Sequence, residues 1–127
     1  MANKDINDVR KWTEFCERLI AKTASGDLKW KDWGHKIGRP EARSPLFVAT
    51  YKTWRILVFK YAYKYFHDED RYDWDEEVGM ELIDDAGKNE WTFPKVPNRY
   101  QLLDRIQFNH SDVQSLLDDV LSDEEDA

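Results

Sequence analysis

Three groups of residues in this chain have types and spacings that chemistry uses. The first is a run of carboxylates, Asp68, Glu69, Asp70, Asp73, Asp75 and Glu77, within "HDEDRYDWDEE". Such a cluster binds a cation, mimics nucleic-acid phosphates or meets a basic protein surface. On a strand, Asp73, Asp75 and Glu77 stand about 6.5–7 Å apart at successive i,i+2 steps, too spread for one ion unless the strand bends. No EF-hand loop surrounds them. The plain alternative is a solvated turn and sheet face whose charges keep an edge from aggregating.

The second group is "LKWKDWGHKIGRPEAR", in which Lys29, Lys31, Lys36, Arg39 and Arg43 accompany Trp30, Trp33 and His35. Basic residues with interleaved aromatics contact phosphate and stack on bases. Against this, both indoles can anchor the loop on a core while the charges stay in water. The lysines flanking Trp30 suggest an alternating strand with the indole inward. Trp33, beside Gly34, is balanced between the two roles.

The third group is the nucleophile and acid–base set. His35, His67 and His110 fall on a loop, a strand end and a helix end, and His110 near a helix C-terminus has an ordinary dipole explanation. Cys16 lies on an apolar helical stripe, where a small packing residue is expected rather than a nucleophile. No Gly-rich phosphate loop, nucleophile elbow, zinc spacing or HExxH motif occurs. The expectation is a non-enzymatic protein with no catalytic residue, no metal site and no cofactor.

The elements that position these groups follow from periodicity. Ile6, Val9, Trp12, Phe15, Cys16, Leu19, Ile20 and Thr23 recur at three and four, predicting a helix from about Asp5 to Ser25, with Gly26 as its left-handed stop. Glu14 and Arg18 form an i,i+4 pair on its outer side. Asp27–Pro45 has no sustained period and reads as a long loop with one extended piece at Leu28–Trp30.

From Leu46 the period becomes two. A short strand, Leu46–Tyr51, precedes a long one, Trp54–His67, in which Leu57, Phe59, Tyr61, Tyr63 and Tyr65 share one side. After the turn "HDEDR", Tyr72–Ile83 alternates cleanly: Tyr72, Trp74, Val78, Met80 and Leu82 against Asp73, Asp75, Glu77 and Glu81. The expected core face joins the aromatics of the long strand to Trp74, Met80 and Leu82, leaving Lys60 and Lys64 opposite the carboxylates. "DDAGKN" is a hairpin loop, and "EWTF" a fourth strand with Trp91 and Phe93 inward. Asn98 with Gln101, and Ser111 with Gln114, have capping-box spacing for two further helices.

The fold class is therefore α+β: a four-stranded antiparallel meander with an N-terminal helix and two C-terminal helices packed on one face. At 127 residues one domain over 1–121 is expected, with 122–127 an acidic frayed tail. Six Trp, six Tyr and six Phe supply the buried area for a core. No secretory signal or membrane span is visible, and one cysteine makes no internal disulfide, so a cytoplasmic protein is the simple reading.

Charge is segregated. Residues 1–67 carry +7 and residues 68–127 carry −14, which together give the net −7. That acidity opposes indiscriminate nucleic-acid binding and suits association steered by opposite charge.

"RLIAKTASGDLKW" resembles the opening of many small bacterial and phage proteins, and "WTFP" followed by a leucine-containing helix is similar to them too. The resemblance covers roughly a third of the chain and implies a small α+β accessory protein, with no site residues attached.

The expected function is that of a small binding protein acting through a protein partner, an inhibitor or regulator of bacterial or phage type, with the acidic turn and strand face as its contact. Nucleic-acid or nucleotide binding through the basic loop 29–43 is the alternative.

Overall fold

The structure, a computed structural model, describes residues 6, 8–33, 38–43 and 45–125. Helix α1 (Val9–Ser25) begins at Asp8, whose carboxylate accepts the backbone N–H groups of Arg10 and Lys11, and ends at Gly26 with φ 85°. Five strands follow: β1 (Trp30–Asp32), β2 (Phe47–Tyr51), β3 (Trp54–Phe66), β4 (Tyr72–Ile83) and β5 (Asn89–Thr92). Helices α2 (Arg99–His110) and α3 (Val113–Glu125) complete the chain. The sheet is an antiparallel meander in the order β1-β2-β3-β4-β5.

The fold is α+β as expected, with five strands rather than four. The additional strand is the extended piece of the long loop, displaced to Trp30–Asp32, where Trp30 pairs with Ala49 and Lys31 with Val48. Three residues are too few to show a period in sequence, and pairing with β2 is what defines them.

The larger correction concerns faces. Ile56 pairs with Leu82, Val58 with Met80, Lys60 with Val78 and Lys64 with Trp74. Leu57, Phe59, Tyr61, Tyr63 and Tyr65 instead stand opposite Glu81, Gly79, Glu77, Asp75 and Asp73. The aromatic side of β3 is therefore not the helix side, and Lys60 and Lys64 do not face the carboxylates. A one-residue change of register moves every side chain to the other face. The β3–β4 turn sets it: the Asp68 carboxylate accepts the N–H groups of Asp70 and Arg71 at 2.9 and 3.0 Å, and His67 N–H donates to Arg71 C=O.

Both faces of the sheet's base are buried. Phe47, Ala49, Ile56, Val58, Val78 and Met80 form one cluster with Cys16 and Leu19 of α1 and Leu102, Leu103 and Ile106 of α2. On the opposite face Val48, Leu57, Phe59 and Ile83 pack with Ala42 and Leu46 of the segment before β2 and with half-buried Trp33 and Tyr61. Trp33, Ala42 and Leu46, from the described parts of the segment before β2, thus cover the second face.

The C-terminal helices also differ from expectation. Asn98 makes no side-chain cap; its Nδ2 donates instead to Thr13 C=O at 3.0 Å, tying α2 to α1. Ser111 closes α2, and Asp112 at φ 54° turns the chain into α3. Helix α3 runs on to Glu125, past the Leu121 boundary expected for the domain, and its apolar stripe (Leu116, Leu117, Val120, Leu121) is exposed rather than set against the sheet. Among the described residues no helix is long and apolar enough to cross a membrane.

Candidate functional site

The carboxylate run maps to the far end of β3 and β4, which projects as a two-stranded ribbon. On one side β2 stops at the Phe47–Val58 pair, and Glu41–Arg43 follow β3 only as far as Ala62, whose N–H reaches Glu41 C=O. On the other, β5 stops at Glu81–Thr92 and Phe93 N–H donates to Met80 C=O. Beyond these, β3 and β4 pair with each other, and every residue from Lys64 to Glu76 is exposed. Bare two-stranded ribbons are marginal in water, so side-chain ladders must hold this one.

One side is a ladder of tyrosines and carboxylates. Tyr61 Oη donates to Glu77 at 2.7 Å, Tyr63 Oη to Asp75 at 3.3 Å, and His67 Nε2 lies 2.7 Å from Asp73. Lys95 Nζ, 2.8 Å from Glu77, anchors the ladder's base. The bonds from Lys95 and then Tyr61 hold the Glu77 carboxyl below the usual range. Burial, then the bond to Glu77, pushes the Tyr61 phenol up.

The other side is aromatic and cationic. Phe66 and Tyr72 have ring centroids 5.5 Å apart, and Tyr72 and Trp74 6.2 Å. Lys64 Nζ sits 4.5 Å from the Tyr72 centroid and 5.6 Å from that of Trp74, and the Arg43 guanidinium approaches Trp74 at 5.9 Å. These cation–aromatic contacts fix the rings without covering them. Phe66 and Trp74 are each 58% exposed and Tyr72 44%, while Tyr65, on the ladder side beside His67, is 53% exposed.

The acidic residues therefore divide. Asp68 ties the turn, held below the usual carboxylate range by the Asp70 N–H and then the Arg71 side chain, and its carboxylate meets Arg71 Nε at 3.2 Å. Asp73, Asp75 and Glu77 are engaged in the ladder, whereas Glu69 and Asp70 stand in solvent at the tip. Among the described residues, no three His, Cys, Asp or Glu gather as a metal would require.

The described residues of the basic loop occupy different environments. Trp30 is half-buried, its Nε1 donating to Thr23 Oγ1 at 2.9 Å, and Trp33 lies over Gly87, where an added Cβ would stand 2.6 Å from the ring. Arg39 is buried, ion-paired with Glu81 and donating to Gly87 C=O at 3.3 Å. Lys29 and Lys31 are exposed, and Arg43 belongs to the ribbon through Trp74. His35 and Lys36 lie outside the described residues. The Cys16 thiol is fully buried, and burial raises it to about 12, a packing role and not that of a thiolate.

None of the ribbon's exposed rings is a contact residue in the sequence reading, where Tyr65, Tyr72 and Trp74 belong to the expected core face and Phe66 is assigned to neither side. The available signal was Lys60, Lys64 and Glu76, which interrupt the helix-facing positions and leave no continuous apolar face past Ala62. Comparison of the chain with protein-family models, curated proteins and solved structures finds no match in any of the three.

Proposed function

We propose that the protein is a non-enzymatic binding module that acts through a protein partner, and that the ribbon formed by residues 63–76 is its contact. The observation that carries this reading is the set of large exposed rings, Phe66 and Trp74 foremost, on a projecting ribbon. Exposed rings grouped on one surface favour a partner, because aromatic anchors dominate protein–protein binding energy once desolvated. Their cation–aromatic stacking preorganises them, which lowers the entropy lost on binding. Glu69 and Asp70 at the tip, with the acidic C-terminal half behind them, favour a partner whose surface is basic. An inhibitor or regulator fits this arrangement, since occluding a basic site on another protein requires no chemistry.

The test is photocrosslinking in host extract with a benzoylphenylalanine placed at Tyr72, followed by titration of the captured partner. Phe66→Ala with Trp74→Ala should weaken binding by tenfold or more, and Glu69→Lys with Asp70→Lys should slow association at low salt. Unchanged affinity in the ring variant, or the absence of any saturable partner, would falsify the reading. The nucleic-acid alternative predicts instead that oligonucleotides bind at about 50 mM salt and that the ribbon variants bind them normally.

A further inference from the structure

At the opposite end of the sheet from the ribbon lies a groove of about 530 Å³, walled by α1 (Trp12, Phe15), the β2–β3 turn (Tyr51, Trp54) and the β4–β5 pair (Leu82, Trp91). Its volume is in the range that specific ligand and peptide sites occupy. Cations stand on its rim. Lys22 and Lys52 each place Nζ 5.5 Å from the Tyr51 centroid, and Arg18 lies beside them, paired with Glu14 at 3.1 Å. Neither lysine meets a carboxylate among the described residues. Lys52 also holds φ 57° in the two-residue turn, a conformation that disfavours a side chain with a Cβ. Trp54, next along the rim, is 58% exposed.

The chain carries a second unpartnered surface of opposite character. On α3, Leu116, Leu117, Val120 and Leu121 are 62%, 46%, 51% and 53% exposed. Their spacing makes one stripe, and the 100° turn per residue sets Asp118 on one side of it and Asp119 and Asp123 on the other. The helix "VQSLLDDVLSDEE" contains no Lys or Arg. Asp112, at φ 54°, directs it away from the course of α2.

Charge decides what covers these two surfaces. Pairing of α3 with another α3 would bury both stripes but set acidic flank against acidic flank within a Debye length of about 8–10 Å. Seating α3 in the groove buries the same leucines against aromatic walls and brings its aspartates to Arg18, Lys22 and Lys52. We propose that α3 of one copy docks in the aromatic groove of a second copy, as an amphipathic helix laid in a groove. Reciprocal exchange closes a two-fold dimer. This contact is separate from the ribbon, so ribbon variants leave it unchanged and its failure leaves the ribbon reading untouched.

The test uses two full-length variants altered only at exposed positions. In the groove variant, Lys22→Glu is combined with Lys52→Glu; in the helix variant, Leu117→Glu is combined with Leu121→Glu. Matching far-UV circular dichroism confirms that both fold. By sedimentation the native chain should shift with concentration from its 15.2 kDa monomer to a heavier species, and each variant alone should remain a monomer. Mixed in equal amounts they should form a 1:1 complex, weaker than the native one because it holds a single contact, with a blue shift of the tryptophan emission as the groove indoles Trp12, Trp54 and Trp91 are covered. A native chain that stays monomeric up to about 1 mM overturns the proposal and leaves an acidic helix of another protein as the occupant. A groove variant that associates like the native chain also overturns it and assigns the contact to α3 against α3.

Discussion

Replacing Phe59 by Ala tests the claim that the sheet is buried on both faces. Phe59 is 3% exposed on the side away from the helices; its ring covers Gly79, lies 5.9 Å from the Tyr61 ring and supports the Arg39 guanidinium at 5.8 Å. Losing the buried ring forfeits roughly 1.5–3 kcal/mol of transfer free energy. The cavity left between the Arg43-side loop and the sheet raises the total to about 3–5 kcal/mol. In a domain of this size, that lowers Tm by roughly 10–20 °C. Tyr65, on the same side of the same strand but 53% exposed, is the control: Tyr65→Ala should cost under about 1 kcal/mol. Urea unfolding followed by tryptophan fluorescence measures both, and a constant m-value shows that the unfolded states are comparable. If Phe59→Ala costs less than about 1 kcal/mol, the second core is not a core and the loop over it contributes nothing to stability.

Two further outcomes follow from single contacts. Glu77 has its acidity strengthened by Lys95 and Tyr61, so its contribution to stability is present above the ordinary glutamate value of about 4.3 and is lost as pH falls through the lower folded-state value. Thermal melts between pH 7 and pH 3 should therefore show a smaller acid loss in Lys95→Met than in the native chain, and equal losses would remove the role assigned to this pair. Gly87→Ala meets both a φ of 86° and the Trp33 ring, so it should cost about 1–3 kcal/mol; in a Trp33→Ala background the cost should shrink toward the backbone strain alone, and a cycle with no coupling would show that Trp33 does not rest there.

The first helix was readable because its stripe, its i,i+4 pair and its glycine stop all act locally, and Cys16, Leu19 and Thr23 are indeed its buried residues. The two sides of β4 were readable too, since Asp73, Asp75, Glu77 and Glu81 alternate with Trp74, Val78, Met80 and Leu82, and Glu76 alone interrupts the apolar side. On β3 the pattern is ambiguous: Ile56 and Val58 are as apolar as Leu57 and Phe59, and each pair fills a different core. The β3–β4 register, closed at its tip by the hydrogen bonds of the Asp68 turn, sets which side of β3 joins Val78 and Met80. The exposed rings of the ribbon were harder to read: Lys60, Lys64 and Glu76 interrupt their face, but a Trp alternating with Asp reads as buried until the length of the neighbouring strands is known. Nor does sequence show that β2 and β5 stop short. The groove joins Trp12 to Trp91 across 79 positions, a distance no local pattern spans.

The short neighbours of β3 and β4 make the His67–Arg71 turn a place where the polypeptide can be opened without being dismantled. The register from Arg55–Ile83 to Tyr61–Glu77 lies in the base of the sheet, so a protease nick at the tip yields two fragments that stay zipped together. The same bend would accept an inserted epitope, new chain termini or the seam of a split reporter, leaving the roofed part of the molecule as it is.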